Sequence, residues 1–314
     1  MIKNLLSRRL IVLSGKGGVG RTTMAAILAY RAAAAGKQVL VAQMDAHERL
    51  SPLLTPRGRT AGKVGTRIVK LAPNIDAVNM TPRTALHEYG LLVLRYETIV
   101  NALLENRPIR SFLGAVPGLD AYSMLGKAWH HTTEARGRDP AGPPRYDLVI
   151  LDGPASGHAT TLLQIPRAIL TAMPRGPLSR DARSIMELLQ DPERAAFVIV
   201  TLAEEMPINE AVELCKVARD ELSLPVGPII VNKVIPDTWA DASMNRLLQG
   251  LPESTGDGAL DSTLSGVRAI IARRHEGLRL VQSLKDRTGL AAVTLPRLFT
   301  ELGNEQIAEL AASI

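Results

Sequence analysis

Short apolar, β-branched runs alternate with longer Ala- and Leu-rich segments along this chain. That alternation predicts a doubly wound α/β fold with a mainly parallel sheet. Residues 10–13 read as a buried strand, and residues 22–35, closed by Gly36, as a helix with almost no breakers. "KQVLVAQMD" predicts the second strand, ending at Asp45, and "RIVKLAPNIDAVNM" two short strands about a Pro-Asn turn. Between them residues 51–66 are rich in Gly, Pro, Thr and basic residues and read as a mobile loop.

From Thr84 to about Arg136 the period turns helical, until "RGRDPAGPPR" breaks it as a loop. Leu92, Leu94, Ile99, Leu103, Phe112, Leu119, Met124, Leu125 and Trp129 recur through that stretch. They suit a helix-bundle core or a hydrophobic client groove, since both want the same residues. A further strand is expected at residues 147–151, then helices in "ATTLLQIPRAILTAMP" and "GPLSRDARSIMELLQDPERA". Residues 196–225 read as strand, loop and helix, and "VGPIIVNKV" as another strand. A polar surface segment, 236–266, holds a helix at "WADASMNRLLQGL", an amphipathic helix follows to Gly289, and the chain finishes strand–loop–helix. The division this predicts is a doubly wound domain of residues 1–83, 145–155 and 195–314. Residues 84–144 and 156–194 form an inserted helical subdomain.

The link between the first strand and helix carries the chemistry. Gly15, Gly17, Gly18 and Gly20, with Val19 among them, let consecutive backbone N–H groups curl around a phosphate at a helix N-terminus. Thr22 is placed to hold Mg2+ through its hydroxyl and Thr23 to bond an inner phosphate. Two residues depart from the G-x-x-x-x-G-K-[ST] loop: Lys16 is an added lysine, and Arg21 stands where lysine is usual. Arginine is a planar fork rather than a compact charge, so it neutralises phosphate with altered placement of the terminal phosphoryl group. In "YDLVILDGPASGH", Asp152 ends a strand where a carboxylate reaches the Mg2+ shell through water. The small residues after it form a turn able to move when a terminal phosphate is bound or lost, with Gly157 offering that phosphate a backbone N–H.

Composition narrows the class. The 314 residues, 46% hydrophobic, suffice for a real core, and no apolar run approaches the roughly 18–20 residues of a membrane span. "MIKNLLSRRLIVLSG" mimics a signal peptide, but its apolar part is short and runs into the glycine loop, so it reads as the first strand of a cytoplasmic protein. The net charge of +6 comes from scattered arginines, which fit phosphate ligands without establishing nucleic-acid binding. Arg273, Arg274 and Arg279 are expected on a solvated face. Cys215, the single cysteine, is expected in the core, and one thiol builds neither a disulfide framework nor a thiolate metal cluster.

The "GKGG" opening resembles the deviant phosphate loop of the family that contains ArsA, the tail-anchored-protein targeting ATPases, MinD and ParA. "VPGLDAYSMLGKAW" and "EEMPINE" resemble bacterial ArsA-like ATPases, "DGPASGH" the family's DxPxTGH switch with Ser156 for threonine, and "LPRLFTELG" its C-terminal LPxLFxxELG. The resemblance runs over nearly the whole chain. It implies ATP and Mg2+, with Lys16 reaching across a dimer interface to the partner's nucleotide. Asp45 matches the Asp of the family's DPAH switch, which positions or activates the attacking water. The following proline is absent, so only Asp45 is carried over, and His47 reads as a solvated loop histidine. Asn232 matches the asparagine that reads adenine, and Pro296 lies in the loop that passes the base.

The function implied is an ATP-dependent dimeric switch whose helical subdomain handles an unknown client, a hydrophobic protein being one candidate. One alternative is a weakly active or inactive subunit paired with an ArsA-like paralogue. Another is a positioning ATPase of the ParA or MinD kind, against which the long helical insertion and lack of a terminal amphipathic anchor argue. No zinc is expected, and neither a nucleic-acid nor a membrane partner.

Overall fold

The structure is a computed structural model that describes residues 2–56, 58, 62–94, 96–108, 118–137, 139, 142–237, 246, 248, 250–251 and 255–314. The chain opens with a helical turn, α1 (Ile2–Leu5), where a strand was expected to begin. Ile2, Leu5 and Leu6 are buried, which favours a turn that can pack them together. Then come β1 (Leu10–Gly15), α2 (Arg21–Ala34), β2 (Val39–Met44) and α3 (Leu50–Leu54). The expected mobile loop is therefore helical at its start, and the Glu48 carboxylate ties its ends by accepting from the backbone N–H groups of Leu50, Ser51 and Val64.

β3 (Val69–Ala72) and β4 (Ile75–Met80) lead into α4 (Pro82–Leu94), α5 (Glu97–Glu105) and α6 (Leu119–Thr133). β5 (Leu148–Ala155) runs into α7 (Ser156–Ala172) without an intervening loop, followed by α8 (Pro177–Gln190). β6 (Ala195–Leu202), α9 (Glu205–Lys216), β7 (Ile229–Val234), α10 (Gly258–Thr288), β8 (Ala292–Pro296) and α11 (Asn304–Ala312) complete the order. α10 begins six residues earlier than its apolar period indicated, because the Asp257 carboxylate caps it by accepting from Ala259 and Leu260 N–H. Most of "WADASMNRLLQGL" lies outside the described residues.

Among the described residues eight strands form one sheet in the order β3-β4-β2-β5-β1-β6-β7-β8, parallel except for β3. β1 sits in the interior of the sheet and is apolar on both faces, as a strand covered by helices on both sides must be. On one face Ile11, Leu13, Val41 and Ile150 pack with Met24 and Ile27 of α2 and with Ile307 of α11. On the other, Val12, Leu40 and Leu151 share a core with Tyr89 of α4, Leu125 of α6, Leu162 of α7 and Ile185 of α8. Fully buried side chains such as Ile11 and Leu13 contribute about 1.5–3 kcal/mol each.

Of the apolar positions in the helical stretch, Met124 and Leu125 are buried, Leu119 and Trp129 are half-buried, and Leu92 is exposed. Phe112 and the side chains of Leu94, Ile99 and Leu103 lie outside the described residues. Cys215 is buried, as its helical position indicated.

A charged cluster fixes the end of α6 against the approach to β5. The Glu134 carboxylate pairs with His131 Nδ1 at 2.9 Å and accepts from Arg145 Nη1 at 2.9 Å. The bond to His131 leads in holding Glu134 down, from 4.5 to about 2. A depressed carboxylate contributes stability that is whole above about pH 4.5 and lost as the pH falls through about 2. Thermal melts between pH 5 and pH 2 are expected to fall less steeply for Glu134→Gln than for wild type.

Candidate functional site

The crevice of a doubly wound sheet lies at the carboxyl ends of strands where the order reverses. Here those are β1, β5 and β2, and the glycine loop runs from Gly15, the last residue of β1, through residue 20 to α2. Two glycines in it are obligatory. At Gly15, with φ +150°, a Cβ would stand 2.0 Å from the Val200 carbonyl oxygen of β6. At Gly20, with φ +99°, it would stand 2.3 Å from Asn232 Nδ2. The loop is thus pressed against the sheet edge, and α2 begins with no side-chain cap on its first N–H groups. Uncapped N–H groups at a helix start, with the dipole behind them, favour an anion.

Beside the loop the donors and acceptors converge on Asp152. Thr22 Oγ1 donates to Asp152 Oδ2 at 2.7 Å, and Gln43 Nε2 donates to the same oxygen at 3.1 Å. Asp152 is 5% exposed. Burial pushes its carboxyl up, opposed by the bonds from Thr22 and Gln43 and by the nearby Arg21 guanidinium. Arg21 folds back on its own loop, Nη1 donating to the Gly15 carbonyl at 2.6 Å; burial lowers its pKa, and Asp152 opposes that. The Thr22 hydroxyl and the Asp152 carboxylate are hard oxygen donors set side by side, a combination that suits Mg2+. A buried oxygen without a partner among the described residues, Gln43 Oε1, lies next to them.

Asp45 follows the last residue of β2, exposed and with φ +46°, its N–H bonded to the Met80 carbonyl at 2.8 Å. A non-glycine residue held left-handed is uncommon and clusters at functional sites. The neighbouring Ala46 is gripped by Asn79, whose Oδ1 accepts from Ala46 N–H at 3.1 Å and whose Nδ2 donates to Ala46 O at 2.7 Å. Lys16 Nζ lies 3.5 Å from Glu210 Oε1 of α9 and beside Met206 Sδ. Ser156 Oγ donates to the other oxygen of Glu210 at 3.4 Å.

Gly157 and His158 are exposed on the first turn of α7, which has no side-chain cap.

The model of the anion-transporting ATPase family, ArsA type, matches residues 8–176 and 177–250. The chain belongs to that family. ATPase BagA of Mycobacterium tuberculosis is 25% identical over 289 residues, covering 84% of this chain and 82% of the relative. A putative arsenical pump-driving ATPase of Halobacterium salinarum is 26% identical over 251 residues, 74% of this chain and 36% of that protein. ATPase GET3 of Kluyveromyces lactis is 24% identical over 263 residues, 73% of each chain.

Within this member of the family, Gly15 to Thr23, Asp45 and Asp152 gather at one end of the sheet, and Lys16 leans away from the loop toward α9. Asn232 is engaged inside the protein: its Nδ2 donates to Val19 O at 2.8 Å and its Oδ1 accepts from Lys233 N–H at 2.9 Å. It stitches the phosphate loop to the end of β7. It also borders a recess of about 760 Å³ lined by Glu204, Lys233, Arg274 and Arg297. Pro296 ends β8, and the N–H of Arg297 after it bonds Val234 O at 2.8 Å.

Two arginines expected on a solvated face are exposed, Arg273 and Arg279. Arg274 is not: it pairs with Asp237 and donates to the Ile235 carbonyl. Glu204 and Glu205 are exposed where α9 begins, and His47 is exposed as expected. Among the described residues no helix is long and apolar enough to cross a membrane.

Gln43, Asn79 and Glu210 escaped the sequence reading. A weak signal existed for the first, since glutamine interrupts an otherwise apolar strand just before Asp45.

Proposed function

We propose that this chain is a Mg2+-dependent ATPase that works as a dimeric nucleotide switch, with residues 84–144 and 156–194 as the helical part that handles a client. The observation that carries the reading is the Thr22–Asp152 contact beside an uncapped helix start and a glycine loop closely backed by the protein at Gly15 and Gly20. Backbone N–H groups from Gly15 to Thr23 receive the phosphates. Arg21 exchanges its bond to the neutral Gly15 carbonyl for anionic phosphate oxygens, a pairing of two charges that is the stronger contact. Thr22 and, through water, Asp152 would hold Mg2+, which would supply neutralisation of the charge that develops on the transferring phosphoryl group.

Asp45 accepts a proton-side hydrogen bond from the attacking water and orients it, its backbone held by Met80 and by the Asn79 grip on Ala46. Gly157 N–H meets the terminal phosphate at the mouth of α7. Lys16 leaves Glu210 Oε1 to reach the nucleotide of a second protomer, while Ser156 stays on the other oxygen of that carboxylate. Asn232 retains one hydrogen and one lone pair for adenine, with Pro296 and the Arg297 side of the recess closing on the base. A cytoplasmic location accords with this role.

Arg21 favours a second reading, a weakly active subunit that completes its site with an ArsA-like paralogue. Mg2+-ATP binding and phosphate release, measured on wild type and Arg21→Lys, separate the two. For a working homodimer, Arg21→Lys is expected to change turnover less than about threefold. For the weak subunit, turnover is expected to rise by about tenfold or more, equivalent to 1.4 kcal/mol of barrier. A wild-type protein that binds no nucleotide overturns both.

A further inference from the structure

Gln43 is the single polar residue of β2 and has no exposed surface. Its backbone stands in register with Asn79 of β4 on one side and Asp152 of β5 on the other. The three make a polar row across the carboxyl end of the sheet, from the residue that grips Ala46 to the carboxylate that receives Thr22. Gln43 Nε2 is committed to Asp152 Oδ2 at 3.1 Å. Its Oε1 is buried and, among the described residues, has no donor.

A buried amide oxygen left unmatched is costly, and native proteins match nearly all such groups. Its neighbours do not serve it. The Thr22 hydroxyl donates to Asp152, and Asn79 Nδ2 spends one hydrogen on the Ala46 carbonyl and makes no bond to Gln43 Oε1. A donor can arrive from outside, at the place where two hard oxygens already lie side by side. A water in the shell of a divalent cation is such a donor, polarised so that its hydrogens are strongly offered.

We propose that Gln43 is a positioning residue for the divalent cation, its Nε2 setting the Asp152 carboxylate and its Oε1 accepting from a cation-bound water. This rests on the nucleotide-and-metal reading above. An amide is suited to the task because it donates and accepts at once. A carboxylate here would repel Asp152, and an aliphatic side chain would leave Asp152 held by Thr22 alone. A hydroxyl can offer its oxygen to the cation while its hydrogen still points to Asp152, so Thr22 and Gln43 together would keep the carboxylate in place. Partners of this outer kind orient metal ligands, and their loss typically weakens metal binding by about 10- to 100-fold.

The experiment measures ADP affinity of the full chain by calorimetry, in Mg2+ and in EDTA, for wild type, Gln43→Leu and Gln43→Met. The readout is the ratio of the two affinities, which a merely structural defect lowers on both sides and leaves unchanged. The ratio is expected to fall about tenfold or more in both variants. An unchanged ratio in a folded variant overturns the proposal. A wild-type ratio of one means that no cation couples to the nucleotide, and overturns it too. If wild type binds ADP in neither condition, the nucleotide reading itself fails.

Should neither variant fold, the Gln43 side-chain amide signals of the labelled wild type answer the same question. They are expected to shift when Mg2+ is added to the ADP complex, and signals that do not move overturn the proposal.

Discussion

An Asp45→Asn protein is expected to bind Mg2+-ATP about as tightly as wild type and to release phosphate at least about a hundredfold more slowly. The residue leaves β2 with φ +46°, is exposed at the mouth of the crevice, and is anchored by backbone contacts that do not use its carboxylate. The amide therefore keeps the chain path, and asparagine tolerates the left-handed region as well as aspartate does. What it loses is a negative acceptor for the attacking water, in a reaction where positioning and charge supply most of the rate. Single-turnover phosphate release beside equilibrium nucleotide binding checks it. Turnover equal to wild type would remove Asp45 from the mechanism.

Gly15→Ala is expected to lose nucleotide binding and to cost roughly 3 kcal/mol or more in stability, a drop in Tm of about 6 °C or more for a chain of this size. The added Cβ meets the Val200 carbonyl at 2.0 Å, and that oxygen belongs to the strand paired with β1. A backbone oxygen in an interior sheet cannot swing aside as a flexible side chain does. Either β1 and β6 separate or the loop shifts off the start of α2, and both destroy the phosphate cradle. Gly17→Ala is the control: its Cβ meets nothing within 4 Å, so its Tm is expected to stay within about 2 °C of wild type. Thermal melts of the two alanine variants, with and without nucleotide, distinguish a steric requirement at Gly15 from a general need for glycine.

The contrast between those two glycines marks where local reading stops. The spacing of glycines, Arg21, Thr22 and Thr23 was legible because a strand, a tight loop and a helix start are adjacent in the chain, and each imposes its own residue preferences. Asp152 was legible for the same reason, as a carboxylate following an apolar run, although β5 continues past it to Ala155. The alternation of strands and helices settled the fold class, since two-faced burial of parallel strands demands continuous apolar runs. Nothing in that pattern separates Gly15 from Gly17, because the atom that forbids a side chain at Gly15 comes from a strand 185 residues further along.

Tertiary structure alone brought together groups that share no local period. Asn79, Gln43 and Asp152 form a row only because β4, β2 and β5 pair in one register, and strand register is a long-range property. Asn232, which family resemblance assigned to the base, is bound to the carbonyl of Val19 from 213 residues away. Glu210 holds Lys16 and Ser156 at once because α9 packs beside both the phosphate loop and the start of α7. Local sequence determined which segments are strands, helices and the phosphate loop, since backbone preference and amphipathic period act over a few residues. The pairing of distant strands decided what each polar side chain touches, since a hydrogen bond depends on where its partner ends up in space.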